Sequence, residues 1–199
     1  MGPRLIQLYV GLGLYGFSSS LLVLARLGLD PWDVFHQGLS RHSHLAIGTW
    51  AIIVGVLVLL LWIPLRQWPG IGTVSNVVCV GGTMDIVLSH LGSPHGLAAR
   101  IALLVAGVGL NGVATGLYIG AGLGPGPRDG LMTGLAARGH SIRVVRTCIE
   151  VTVLATGWLL GGTVGIGTVL YAVSIGPLAH VFVPFFSRTR TPPPVLEGN

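Results

Sequence analysis

Charge is what this chain of 199 residues lacks: only 9% of its residues are charged, against a hydrophobic share of 51% and a mean hydropathy of +0.79. Ordinary soluble domains carry about 25% charged residues, so the chain has too little polar surface for a water-soluble globule of its size. Lysine is absent. All eleven basic residues are arginines, and they stand one or two at a time at the ends of apolar runs. That distribution excludes the continuous basic stripe of a nucleic-acid-binding surface and suits membrane topology instead. Cysteine is nearly absent: Cys79 and Cys148 lie in apolar stretches, with neither CxxC spacing nor a His/Cys cluster. Neither a disulfide framework nor a metal site is expected. HExxH, GxSxG and P-loop patterns are missing too, so the sequence offers no enzyme chemistry and asks for no cofactor. The string GLGLYG at 11–16 meets the GxGxxG spacing of dinucleotide-binding turns. It falls inside an apolar run with no preceding strand, which rules out that use.

What is present is length in the apolar runs. Six stretches, at about 5–26, 45–64, 71–91, 98–120, 142–161 and 165–187, are near the roughly twenty residues needed to cross about 30 Å of hydrocarbon. The first is too long for the apolar core of a secretory signal and is expected to stay in the protein. The chain also repeats itself. Laying 14–39 over 110–135 matches Gly16 with Gly112, Gly28 with Gly124, Pro31 with Pro127, Asp33 with Asp129 and Gly38-Leu39 with Gly134-Leu135. After a one-residue shift, PGIGTV at 69–74 lies over VGIGTV at 164–169. Matches at both ends of so long a unit indicate duplication.

Each unit holds three spans, and an odd number of crossings makes the second unit enter from the opposite side. The expected fold is an all-α polytopic membrane protein: six transmembrane helices as two inverted three-helix repeats, 1–97 and 98–187, each with a short extra interfacial or re-entrant helix, followed by a disordered cytoplasmic tail at 188–199. With the N-terminus inside, Arg4, Arg66, Arg128, Arg138, Arg143, Arg146, Arg188 and Arg190 gather on the inner side and Arg26, Arg41 and Arg100 on the outer. Eight against three predicts that both termini are cytoplasmic.

Two copies of a G-L-G-x-x-P-x-D-like element, each followed by a Gly-Leu pair and later by GIGT, occupy a six-span chain of this length. In this the sequence resembles the YczE/YyaS/YitT family of bacterial integral membrane proteins. The resemblance covers nearly the whole chain and is most specific in AGLGPGPRDGLMTGLA and GGTVGIGTVLYAVSIGP. It implies a bacterial cytoplasmic (inner) membrane location and adds little mechanism.

The repeated element reads as a helix start. Proline suits the first helical turn, where its missing N–H has no partner to lose, and Asp33 and Asp129 then fall at the third position, favoured by the helix dipole. The helices they open, Pro31 to His42 and Pro127 to Arg138, are roughly 17 or 18 Å long, about half a membrane. Broken elements at symmetry-related positions point to a transporter's binding site, so Asp33, Asp129 and the adjacent Arg128 are substrate-binding candidates. Arg146 and Glu150, four residues apart on one face of the fifth span, are candidates by the same token, since ionisable groups inside a span are expensive. Asp85 aligns with His180 and could handle protons at equivalent depths. Asn76 and Asn111 suit contacts with neighbouring helices, and the glycine series 112, 116, 120, 124 and 157, 161, 165 suit close helix packing.

The reading that follows is a non-enzymatic small-solute transporter or permease with its site at the repeat interface; the alternative is a membrane accessory protein that moves nothing. Expected partners are membrane lipids, a small-molecule solute and further copies of the chain, with no nucleic acid.

Overall fold

The computed structural model describes residues 1–187, and the tail expected at 188–199 lies outside the described residues. Every regular element among the described residues is a helix: α1 (Gly2–Ala25), α2 (Pro31–Arg41), α3 (Ile47–Leu60), α4 (Trp62–Leu65), α5 (Ile71–His90), α6 (Leu97–Gly120), α7 (Pro127–Ala136), α8 (Ile142–Leu159) and α9 (Ile166–Phe186). Five are long and apolar enough to cross a membrane: α1, the joined α3–α4 stretch, α5, α6 and α9. The stretch expected as a fifth span, 142–161, forms α8, whose 18 residues include Arg143, Arg146 and Glu150 and so fall short of that standard. The exposed side chains of α9, including Ile166, Val169, Val173, Val181 and Phe185, are large and apolar. Such a surface needs lipid or protein against it.

At the centre α1 and α6 pack antiparallel. Gly11 meets the backbone at Leu117 and Tyr118, Ser18 accepts a hydrogen bond from Asn111 at 3.0 Å, and Gly107 meets Leu22. Helix α5 lies against α1 and α9 against α6. The contact between α6 and α9 uses one glycine ridge, with Gly112, Gly116 and Gly120 seating Leu178, Phe182 and Phe186 in turn. Without side chains on one helix the backbones approach closely enough for van der Waals packing to hold them in lipid. The GLGLYG string lies within unbroken helix α1, where Gly11 serves the same purpose.

The matched sequence positions also share backbone geometry. Arg26 and Gly122 end their helices at φ 52° and 65°, and Gly28 and Gly124 turn the chain at φ 117° and 124°. The units clasp each other reciprocally: Gly167 N–H donates to the Leu27 carbonyl at 2.8 Å, and Gly72 N–H to the Leu123 carbonyl at 2.9 Å. The short helices cross over as well. Helix α2 packs on α8 of the other unit, and α7 packs on α3 and α4. In α7, Gly130 lies flat against the Trp62 indole, whose Nε1 donates to the Pro127 carbonyl at 3.0 Å.

Candidate functional site

The reciprocal clasp brings the starts of α2 and α7 together. Asp30 caps α2, its carboxylate accepting from the N–H groups of Trp32 (3.1 Å) and Asp33 (3.2 Å). Arg128, on the first turn of α7, reaches across with Nη1 3.6 Å from Asp30 Oδ1 and Nη2 4.0 Å from Asp33 Oδ1. Its guanidinium also lies over the Trp32 ring, 4.9 Å from the centroid, a cation–π contact. Trp32 and Arg128 occupy the same place in the two copies of the motif, so the halves meet through unlike residues at like positions. Asp33 continues inward, its Oδ1 3.2 Å from His36 Nδ1. Asp30, Asp33 and His36 are all buried.

Three cavities touch this cluster: Trp32 and Arg128 line two of them, and a third, about 70 Å³, reaches Arg128 alongside Tyr15, Asn76, Tyr118 and Asp129. The larger of the first two, about 510 Å³, opens between α8 and α9 and carries Tyr15, Asp30, Tyr118, Asp129, Arg146, Glu150, Tyr171 and His180 on its wall. The smaller, about 30 Å³, is pinched between α3 and α5 and bounded by His36, Ala51, Gly55, Asn76, Val77 and Gly81. The walls are equivalent in part: Ala51, Gly55, Asn76, Val77 and Gly81 of the small cavity correspond to Arg146, Glu150, Tyr171, Ala172 and Gly176 of the large one.

Of the residues singled out from sequence, Arg128, Asp129, Arg146, Glu150 and His180 line the large cavity. Asp33 sits behind Asp30, and the two motif aspartates have different surroundings. Asp33 is buried between Arg128 and His36, whereas Asp129 is half-buried and accepts a 2.9 Å hydrogen bond from the Tyr118 hydroxyl. Arg146 Nε is 2.9 Å from Glu150 Oε1, with side chains 54% and 34% exposed, so the pair is wet. Arg143 is exposed and stands outside the cavity wall. Asp85 and His180 serve different features: Asp85 accepts from Gly48 N–H and the Thr49 hydroxyl, both at 2.7 Å, tying the start of α3 to the end of α5, while His180 is exposed at the far end of the cavity. Asn111 joins three helices, donating to Ser18 and accepting from the Tyr171 hydroxyl at 2.9 Å.

Asp30 and His36 are invisible to a search for matches between the two copies, because Asp30 stands opposite Gly126 and His36 opposite Met132. A local signal for Asp30 does exist, since aspartate directly before an N1 proline is a preferred cap.

An all-helical bundle with apolar outer faces and a buried charge cluster at its centre is an integral membrane protein. The chain belongs to the family of unknown function DUF6198, whose family model matches residues 2–184. It is 39% identical over 182 residues to a Haemophilus influenzae protein, covering 91% of this chain and 84% of that one. It is 36% identical over 179 residues to the Bacillus subtilis uncharacterized membrane protein YczE, covering 88% and 83%. The B. subtilis protein YyaS is 28% identical over 190 residues, covering 91% and 94%. The YczE-type resemblance seen in the motifs is thus a family relation. No solved structure matches the chain.

Proposed function

We propose that the protein is a small-solute permease of the bacterial inner membrane, built as two inverted three-helix repeats that expose one central site to either side in turn. The observation that carries this reading is the pair of unequal cavities, about 510 Å³ and about 30 Å³, bounded in part by equivalent positions and meeting at Arg128 and Trp32. A site reached from one side while its equivalent route is pinched shut is the geometry alternating access requires, and inverted repeats supply the second state by exchanging conformations. The antiparallel packing of α1 on its repeat-mate α6 supports the inversion. Helices α2 and α7 are then re-entrant, starting at the central cluster and running outwards. Helix α8 is the sixth crossing, its charges turned to the watery cavity and not to lipid. The arginine bias sets the N-terminus and the open α8–α9 side towards the cytoplasm.

On the large cavity's wall Asp30, Asp129 and Glu150 outnumber Arg128 and Arg146, with Tyr15, Trp32, Tyr118 and Tyr171 between them. Carboxylates and aromatic faces together favour a cationic or zwitterionic solute. The test is uptake into proteoliposomes of choline, guanidinium, a neutral amino acid and a dicarboxylate. At least one of the first three should accumulate above the level in vesicles carrying Arg128→Gln. Wild-type uptake equal to that of the variant for all four would defeat the proposal and leave the non-transporting accessory role.

A further inference from the structure

The small cavity holds a feature that solute binding does not use. His36 is 1% exposed, forms part of that cavity's wall, and its Nε2 has no hydrogen-bond partner; Asp33 Oδ2, beside it, has none either. Buried polar atoms are nearly always paired, so two orphans on adjacent, touching side chains point to something that comes and goes. We infer that the Asp33–His36 pair is a proton-binding site facing the α3–α5 side, and that its occupation favours opening of that side and closing of the large cavity; this rests on the two-cavity permease reading.

The chemistry follows from the donors. A neutral imidazole whose Nδ1–H donates to the Asp33 carboxylate keeps the Nε2 lone pair for an incoming proton, and the resulting imidazolium is held by the same carboxylate. The charge balance gives the direction. With both carboxylates ionised, Asp30 and Asp33 set two negative charges against the single guanidinium of Arg128, an excess that the water of the large cavity, on whose wall Asp30 and Arg128 lie, would screen. Closing that cavity withdraws the water, and a buried unbalanced charge is costly. A proton on His36 makes the cluster neutral and moves positive charge to the small cavity, which lowers the cost of closing the large side and favours hydration of the small one. The other ionisable groups facing the cluster or its large cavity are Tyr15 from α1, Tyr118 from α6, Asp129 from α7, Arg146 and Glu150 from α8, and Tyr171 and His180 from α9. Helices α3 and α5 bring none to the small cavity's wall, where Asn76 is the polar neighbour. The ionisable groups on that wall are His36 and Arg128, and of the two only the imidazole has a lone pair free for a proton.

The test needs no solute. With Cys79 and Cys148 replaced by alanine, single cysteines at Ala51 (small cavity) and Ala172 (large cavity) are labelled in micelles with a charged methanethiosulfonate at pH 8 and pH 5.5. Rates are normalised to His95→Cys in the exposed loop. Acidification should raise normalised labelling at position 51 and lower it at 172, changing their ratio on the order of threefold or more. His36→Gln, and independently Asp33→Asn, should abolish the change, while His140→Gln, in the exposed connection between α7 and α8, should keep it. A ratio insensitive to pH in the otherwise native protein, or a full shift in folded His36→Gln, overturns the proton site and leaves the two cavities standing. No labelling at position 51 under any condition overturns both.

Discussion

The two halves of this molecule carry the same sentence and do different things with it. In the first half α3 lies along α5; in the second, α8 and α9 stand apart with the large cavity between them. The residues at equivalent positions explain the difference. The closed half offers Gly48, Ala51, Gly55 and Gly81, small enough that Gly48 and Gly81 touch backbone to backbone, whereas α8 of the open half has Arg143, Arg146 and Glu150 in the places of the first three. Small apolar surfaces pack at short range, while charged side chains require water or partners and hold their helix away. Asp85 adds a latch by capping α3, and its counterpart His180 makes no such contact in the open half. On the permease proposal these are two gates of one design, and a few residue differences decide which stands shut.

The strongest way to break this comparison is to add bulk to one gate at a time. A side chain at Gly81 would overlap the Gly48 carbonyl oxygen, so Gly81→Leu should lower stability by about 3 kcal/mol, the upper end for overpacking, and raise thiol labelling at position 51. At its counterpart Gly176 an added side chain meets nothing within 4 Å in the open half. Gly176→Leu should leave the melting temperature unchanged and, on the permease proposal, abolish uptake by keeping α8 and α9 from closing. Equal melting temperatures for the two variants would dissolve the distinction between a shut gate and an open one.

The latch comes next. Asp85→Asn keeps an acceptor but loses the charge that strengthens both hydrogen bonds, a loss of about 2 kcal/mol for bonds to an ionised group. His180→Gln should leave thermal stability as it was. Thermal unfolding in detergent compares them, and a larger loss for position 180 would reverse the assignment of the latch.

A smaller contrast separates the motif aspartates. Asp33→Asn removes a buried carboxylate lying between Arg128 and His36, and about 1–2 kcal/mol of stability should go with it. Asp129→Asn keeps an oxygen for the Tyr118 hydroxyl on a half-buried wall; a loss on the order of a few tenths of a kcal/mol is expected. Solute uptake should fall in both. Identical melting shifts would argue that the two positions are equivalent after all.

The smallest effect belongs to the Arg146–Glu150 pair. As an i, i+4 bridge with side chains 54% and 34% exposed, it should couple by no more than about 0.5 kcal/mol in a double-mutant cycle with Glu150→Gln and Arg146→Gln. Coupling several times larger would mean that the cavity between α8 and α9 is closed and dry in the dominant state.

Much of the fold is legible in the residues themselves. The run of apolar residues from 98 to 120 allows one conformation in lipid, because only a helix satisfies its own backbone there. Pro31 and Pro127 announce helix starts because a first-turn proline sacrifices no hydrogen bond, and the observed α2 and α7 begin on them. Matching Gly28 to Gly124 anticipates two bends at equivalent places, as only glycine takes positive φ freely. The limits are equally physical. Helix α8 looks like a span by length yet carries three charges, and hydropathy alone does not say that two of them face a cavity. His36 is one histidine among seven in the chain, and nothing local distinguishes it.

The sequence by itself determined the helices, their starts and the duplication, because these depend on spacing, proline geometry and the cost of unpaired backbone in an apolar medium. Tertiary structure alone decided that Arg128 of one copy meets Asp30 and Trp32 of the other, that Asp33 is buried while Asp129 is half-buried, and that α3 packs on α5 while α8 and α9 stand apart. Each of those depends on which helix crosses which, and burial and charge pairing arise only after residues almost a hundred positions apart are brought within a few ångströms.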